Sequence, residues 1–323
     1  MQREDVRQFR GVFKMQFKIT EAAFEGFRLV RREPRTVAIW AVFNLVAGVA
    51  LTAAMIGSGF GRFMGASAKG TMSPEVMLGF FVGEGVAALG MILVASIMGA
   101  AVYRAILRPT EAPLTRLRFG GDELRLILLS VIMGMVFVVL TIALVIPVVL
   151  IGFAIAAGSG FSHNGTDGGT AGVILTALLG YLIVLVGLVY FAVRFSLAGV
   201  MTFAERRLRV FESWRLTKGR FWRLLGCYGL AILLMVPLYM VTMTVYFGVT
   251  FAFSGGDAAR AMGEVIRPDM TTVAAYFSPA RTIYLLVASA LAGVLTAVTY
   301  APAAAVYRDI ADTRPENQAE VFS

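Results

Sequence analysis

Six apolar runs, each about 20 residues or longer, constrain this chain more than any other feature, because a helix of that length crosses roughly 30 Å of hydrocarbon. They fall at residues 36–56, 74–103, 124–154, 171–197, 221–247 and 279–305; a small-residue loop is expected at 57–71 after the first, and a short helix at 258–266 in the connection after the fifth. At membrane depth a backbone must satisfy its own polar groups, so each run reads as a spanning helix. Composition agrees: 58% of residues are hydrophobic and 15% charged, against about 45–50% and 25% in soluble domains. The expected fold is an all-α membrane protein with six transmembrane helices in three hairpins. An amphipathic segment (residues 1–35) precedes the six-helix domain (36–306), and a polar tail (307–323) follows it. The first 36 residues are rich in charge and hold no apolar signal core, so the first span is expected to act as an uncleaved anchor.

The cations set an orientation. Of the 29 Lys and Arg, 24 lie in the N-terminal segment, in 104–125, in 194–223 and in the tail. The three opposite connections share five: Arg62, Lys69, Arg260, Arg267 and Arg281. Positive residues stay on the cytoplasmic side. The chain is therefore expected in a bacterial inner membrane, multi-pass, with both termini cytoplasmic. The net charge of +9 borders the spans instead of forming a domain of its own, which argues against nucleic acid as a partner. The partner it implies is the bilayer itself, with anionic lipid at the cytoplasmic face.

The basic segments are also aromatic. Phe9, Phe13 and Phe17 recur every four residues, the spacing of one helical face. Thr20 is expected to cap a helix over 21–32, with Phe24, Phe27 and Val30 on one side and Arg28, Arg31 and Arg32 reaching phosphate level. Residues 210–225 are denser still, with Trp214, Arg215, Lys218, Arg220, Trp222 and Arg223. These nine Arg, Lys and Trp residues of the two segments are the candidate lipid or anion contacts. Phe24-Glu25-Gly26-Phe27-Arg28-Leu29 aligns with Phe211-Glu212-Ser213-Trp214-Arg215-Leu216. The match admits two readings, internal duplication or the shared chemistry of interfacial helices.

Glu84 is the one carboxylate well inside an apolar run. Ionisable residues there face a cavity or a partner. It is either a proton or cation site, or a side chain that reaches water or an arginine of the opposite connections. Pro147, Pro237 and Pro302 interrupt three spans, and Thr242, Thr244, Thr250, Thr296 and Thr299 are candidates for a polar seam or for local backbone bonding. Gly79, Gly83 and Gly90 read as a close-packing face. One Cys (Cys227) and one His (His163) rule out a disulfide framework and a His-based metal cluster. Gly120-Gly121 lacks the lysine of a phosphate loop, and reads as a turn placing Asp122 and Glu123 at the positive end of the third span.

The run Phe211-Glu212-x-Trp214-Arg215-Leu216-Thr217-x-Gly219-x-Phe221-Trp222-Arg223-Leu224, leading into a membrane hairpin, resembles the glycerophosphoryl diester phosphodiesterase membrane-domain family and related six-span alphaproteobacterial inner-membrane proteins of unknown function. Residues 117–125 look like a word common in such proteins. The resemblance implies the six-helix fold. Some members carry a soluble phosphodiesterase domain; these 323 residues hold none, and with one His its chemistry is not carried over.

Three classes of function stay open: a non-enzymatic scaffold or accessory membrane domain that interacts with lipid, a transporter or channel with a polar seam near Glu84, and an intramembrane enzyme. The enzyme class lacks paired carboxylates, a triad or a nucleotide motif. The expectation is therefore a non-enzyme without catalytic residues, metal or cofactor.

Overall fold

The structure is a computed structural model; it describes residues 18–110, 116–158 and 168–312. The Phe9, Phe13 and Phe17 stripe, His163 and the end of the tail lie outside those residues. What is described is helical, with no strand among the described residues. Six helices are long and apolar enough to cross a membrane. Large apolar side chains such as Phe81, Leu89, Val139, Ile146, Leu182, Val186 and Met240 lie exposed along them. A water-soluble chain does not leave that much contiguous apolar surface bare. The make-up is that of a multi-pass membrane protein.

Two short helices, α1 (Ile19–Ala23) and α2 (Glu25–Arg32), lead to the first span. The expected single helix over 21–32 is broken at Phe24, and Thr20 lies inside α1 instead of capping it. The buried face of α2 is Glu25, Gly26 and Leu29, while Phe24 is exposed. Pro34 opens α3 (Pro34–Met55), where its fixed φ suits the first turn. The Gly- and Ala-rich stretch that follows, expected as a loop, is helical: a π-helical turn (Ile56–Phe60) and α4 (Gly61–Lys69). Ser73 caps α5 (Pro74–Leu107), accepting from the Val76 N–H at 3.4 Å. The remaining long helices are α6 (Gly121–Gly158), α7 (Gly168–Phe195), α10 (Phe221–Phe253) and α13 (Pro279–Asp312). Between them stand α8 (Ala198–Glu205), α9 (Glu212–Thr217), α11 (Ala258–Ile266) and α12 (Val273–Tyr276). The prolines at 147, 237 and 302 lie inside continuous helices.

The chain divides into two compact units, one of residues 1–124 and 225–323, the other of 125–224. In the first unit, glycines set the approach of α3 to α5. A Cβ on Gly90 would meet Leu51 at 2.0 Å, one on Gly83 would meet Phe60 at 2.9 Å, and one on Gly59 would meet Gly79 Cα at 2.6 Å. The partners run in opposite sequence order. Gly59 also has φ +131, a backbone that side chains disfavour. Small residues at helix contacts replace the hydrophobic drive that lipid removes. The unit's core lies at one end, where Ala100–Ile106 of α5 and Ala303–Tyr307 of α13 are buried. In the second unit, Gly180 of α7 faces Val148 of α6 and Gly187 faces Leu144, again in opposite order.

Candidate functional site

The two basic, aromatic segments are held to the spans by small residues. A Cβ on Gly26 would come 2.5 Å from Val298 Cα, so α2 rests backbone to backbone on α13. At the matching position of the second segment stands Ser213, also buried, whose hydroxyl donates to the Arg194 carbonyl at 2.8 Å. Thr217 donates to the same carbonyl at 3.3 Å. Thus α9 sits on the C-terminal end of α7 as α2 sits on α13.

These attachments decide which side chains are left free. Arg31 and Arg32 are exposed. Arg28 is exposed too and lies 3.5 Å from Glu25. In the second segment Phe211 and Trp222 are 67% and 79% exposed. Arg215 and Lys218 are exposed beside them; Arg220 and Arg223 are half-buried, and Arg220 donates to the Leu216 carbonyl at 3.1 Å. Trp214 is the exception. It packs between Tyr190, Phe191 and Phe195 at 5.6–5.8 Å between ring centroids, so much of its ring is committed to the chain itself.

The cation at the centre of that cluster was not singled out from sequence. The Arg194 guanidinium carbon lies 5.2 Å from the Tyr190 ring, 5.3 Å from Trp214 and 5.8 Å from Phe221. Contacts of this kind contribute about 0.5–2 kcal/mol each. Just outside the cluster Arg209 pairs with Glu205 at 2.8 Å and Glu212 at 2.7 Å. The Arg209 hydrogen bond, above all, holds the Glu212 carboxyl below its usual range.

A second set, also missed, gathers at the buried end of the first unit. Arg104, on α5, is fully buried and donates to Glu123 at 2.6 Å and to the Arg116 carbonyl. Arg108 pairs with Asp122 at 3.4 Å. Arg116 is fixed with a left-handed backbone, φ +52, and grips Glu33 through two bonds of 2.9 and 3.0 Å. Asp122 and Glu123 therefore do more than meet a helix dipole: they bind the arginines that end α5. On α13, Arg308 reaches Glu25 at 3.6 Å. A repeat in the sequence marks both arginines. Ala100-Ala101-Val102-Tyr103-Arg104-Ala105-Ile106 recurs as Ala304-Ala305-Val306-Tyr307-Arg308-Asp309-Ile310, identical at all but one position.

Glu84 lies on the exposed side of α5, and among the described residues no ion pair reaches it. It stands ten residues from Pro74, about 15 Å along the helix. The threonines bond locally: Thr242, Thr250, Thr296 and Thr299 each donate to the carbonyl four residues back on their own helix. Cys227 is a buried free thiol. No cluster of three or more metal-ligand side chains occurs among the described residues.

No family model, curated protein or solved structure matches this chain.

Proposed function

We propose that this chain is a non-enzymatic scaffold or accessory domain of a bacterial inner membrane, one that engages anionic phospholipid with its cytoplasmic basic segments. The spans form three hairpins in this reading, which the opposed contacts of α3 with α5 and of α6 with α7 support. The resemblance to glycerophosphoryl diester phosphodiesterase membrane domains points the same way. One observation carries the lipid part: Phe211 and Trp222 lie exposed beside exposed Arg215 and Lys218 on a segment anchored to the end of a span. Aromatic rings seek the boundary between chains and headgroups, and the cations reach phosphates, at about 1 kcal/mol for each charge near the surface. Transport through a seam at Glu84 has less support, because the threonines bond their own helices and Glu84 lies on an outer face.

The test is lipid retention. The protein is purified in native nanodiscs and its lipids are measured by mass spectrometry, beside a variant with Arg215, Lys218, Arg220 and Arg223 all changed to Gln. The parent is expected to enrich phosphatidylglycerol and cardiolipin over the bulk membrane, and the variant to lose that enrichment. Equal lipid profiles would sink the reading.

A further inference from the structure

A separate cavity of ≈ 150 Å³ opens in the first unit between α10, the connection through α11 and α12, and the start of α13. At its wall lies Arg281. The guanidinium donates to the hydroxyls of Tyr246 and, at 2.7 Å, of Tyr276. Its carbon sits 4.7–5.2 Å from the rings of Tyr276, Tyr246 and Tyr284. Tyr246 and Tyr284 are stacked at 4.0 Å, which fixes one side of the cage.

The donors here outnumber the acceptors. A phenol oxygen that accepts from a guanidinium must turn its own proton elsewhere. For Tyr246 the acceptor is the Glu264 carbonyl at 3.5 Å, too long for a good bond. For Tyr276 no acceptor stands among the described residues, and the buried Nε–H of Arg281 has none either. Nor does a carboxylate neutralise the guanidinium. Of the two on the cavity wall, Glu264 stands 3.9 Å from Arg260, and Asp269 accepts through Oδ1 alone from the Thr271 N–H and hydroxyl. The cavity wall therefore joins a guanidinium to two phenols whose own hydrogens lack a good acceptor, with acidic oxygens still free nearby.

We propose that this cavity binds a zwitterion, its phosphate or carboxylate held by Arg281, Tyr246 and Tyr276 and its ammonium turned to Glu264 and Asp269. A bare anion meets those two carboxylates as repulsion; an ammonium joined to the anion turns them into partners. The phosphoethanolamine head of a phospholipid has this chemistry, and so does a free amino acid or phosphoethanolamine in water. The site shares no residue with segment 210–225, so each stands or falls without the other.

The full chain in detergent is titrated calorimetrically with dihexanoyl phosphatidylethanolamine, O-phosphoethanolamine, glycine and, as the anion without an ammonium, dihexanoyl phosphatidylglycerol. At least one zwitterion should bind saturably and about tenfold or more tighter than phosphatidylglycerol. Binding confined to the lipid assigns the site to a headgroup; binding of either soluble compound assigns it to a solute. Arg281→Gln should weaken the best ligand by about tenfold or more, and Tyr276→Phe by a smaller factor. Glu264→Gln, on an exposed side chain, should shrink the preference over phosphatidylglycerol, and Glu264→Gln with Asp269→Asn should erase it. No saturable zwitterion binding, an equal affinity for phosphatidylglycerol, or parental binding by both Arg281→Gln and Tyr276→Phe would overturn the proposal.

Discussion

At the level of single residues, arginines of similar sequence context have opposite fates. Arg104 and Arg31 each border an apolar run, yet Arg104 is fully buried against Glu123 while Arg31 is exposed. A charge count treats the two alike, because it sees which cations flank a span and not which have found a carboxylate. Removing one member of a buried pair leaves the other charge desolvated, at about 3–5 kcal/mol. Arg104→Gln should therefore lower the thermal transition of the detergent-solubilised protein strongly, whereas Arg31→Gln should stay within about 0.5 kcal/mol of the parent. Size-exclusion recovery after heating measures both. Equal behaviour of the two variants would mean that removing Arg104 leaves no desolvated charge at Glu123, and would refute the cost assigned to breaking this pair. The partner was hidden in the sequence because Glu123 sits 19 positions away, and nothing in spacing alone joins them.

Elements were more legible than contacts. Runs of apolar residues announced all six long helices, and the residues of α11 follow the expected short helix at 258–266. Spacing picked out Phe24, Phe27 and Val30 as one side of the interfacial helix and left open which side meets the chain; α2 turns Glu25, Gly26 and Leu29 inward. The reason is steric: α2 can approach Val298 of α13 only through a residue without a side chain. The stretch at 56–69 misled for a related reason. Its glycines signal a loop in water, whereas here they allow a helix to pass α5 at backbone distance, as Gly59 does at Gly79. Gly26→Val should separate α2 from α13, with an overpacking cost of about 1–3 kcal/mol. Hydrogen exchange over 19–32 reads the separation directly, because amides of a detached short helix exchange faster. Gly48→Val, where nothing stands within 4 Å of the added carbon, should leave exchange in that region unchanged.

For the whole molecule the governing asymmetry is charge. Of the 29 Lys and Arg, five lie in the connections at 62–69 and 260–281, and one of those five, Arg281, is enclosed by tyrosines. In the first unit, ion pairs join the start of the first span, the end of the second, the start of the third and the end of the sixth: Glu33 with Arg116, Arg104 with Glu123, Glu25 with Arg308. A basic end tied together in this way is costly to pull through a bilayer, since both the charges and their pairing would have to be undone. That end is accordingly expected in the cytoplasm. Green fluorescent protein fused after Ser323 should fluoresce in cells, and alkaline phosphatase inserted at Gly256, between α10 and α11, should be active. The reverse pair of signals would refute the orientation, and with it the assignment of segment 210–225 to the inner leaflet. Changing Arg28, Arg31, Arg32, Arg215 and Lys218 to Gln tests the cause. If orientation rests on the whole cationic excess, the 19 remaining of the 24 cations should hold both reporters in their parental state; if it rests on these five cations, the reporters should mix.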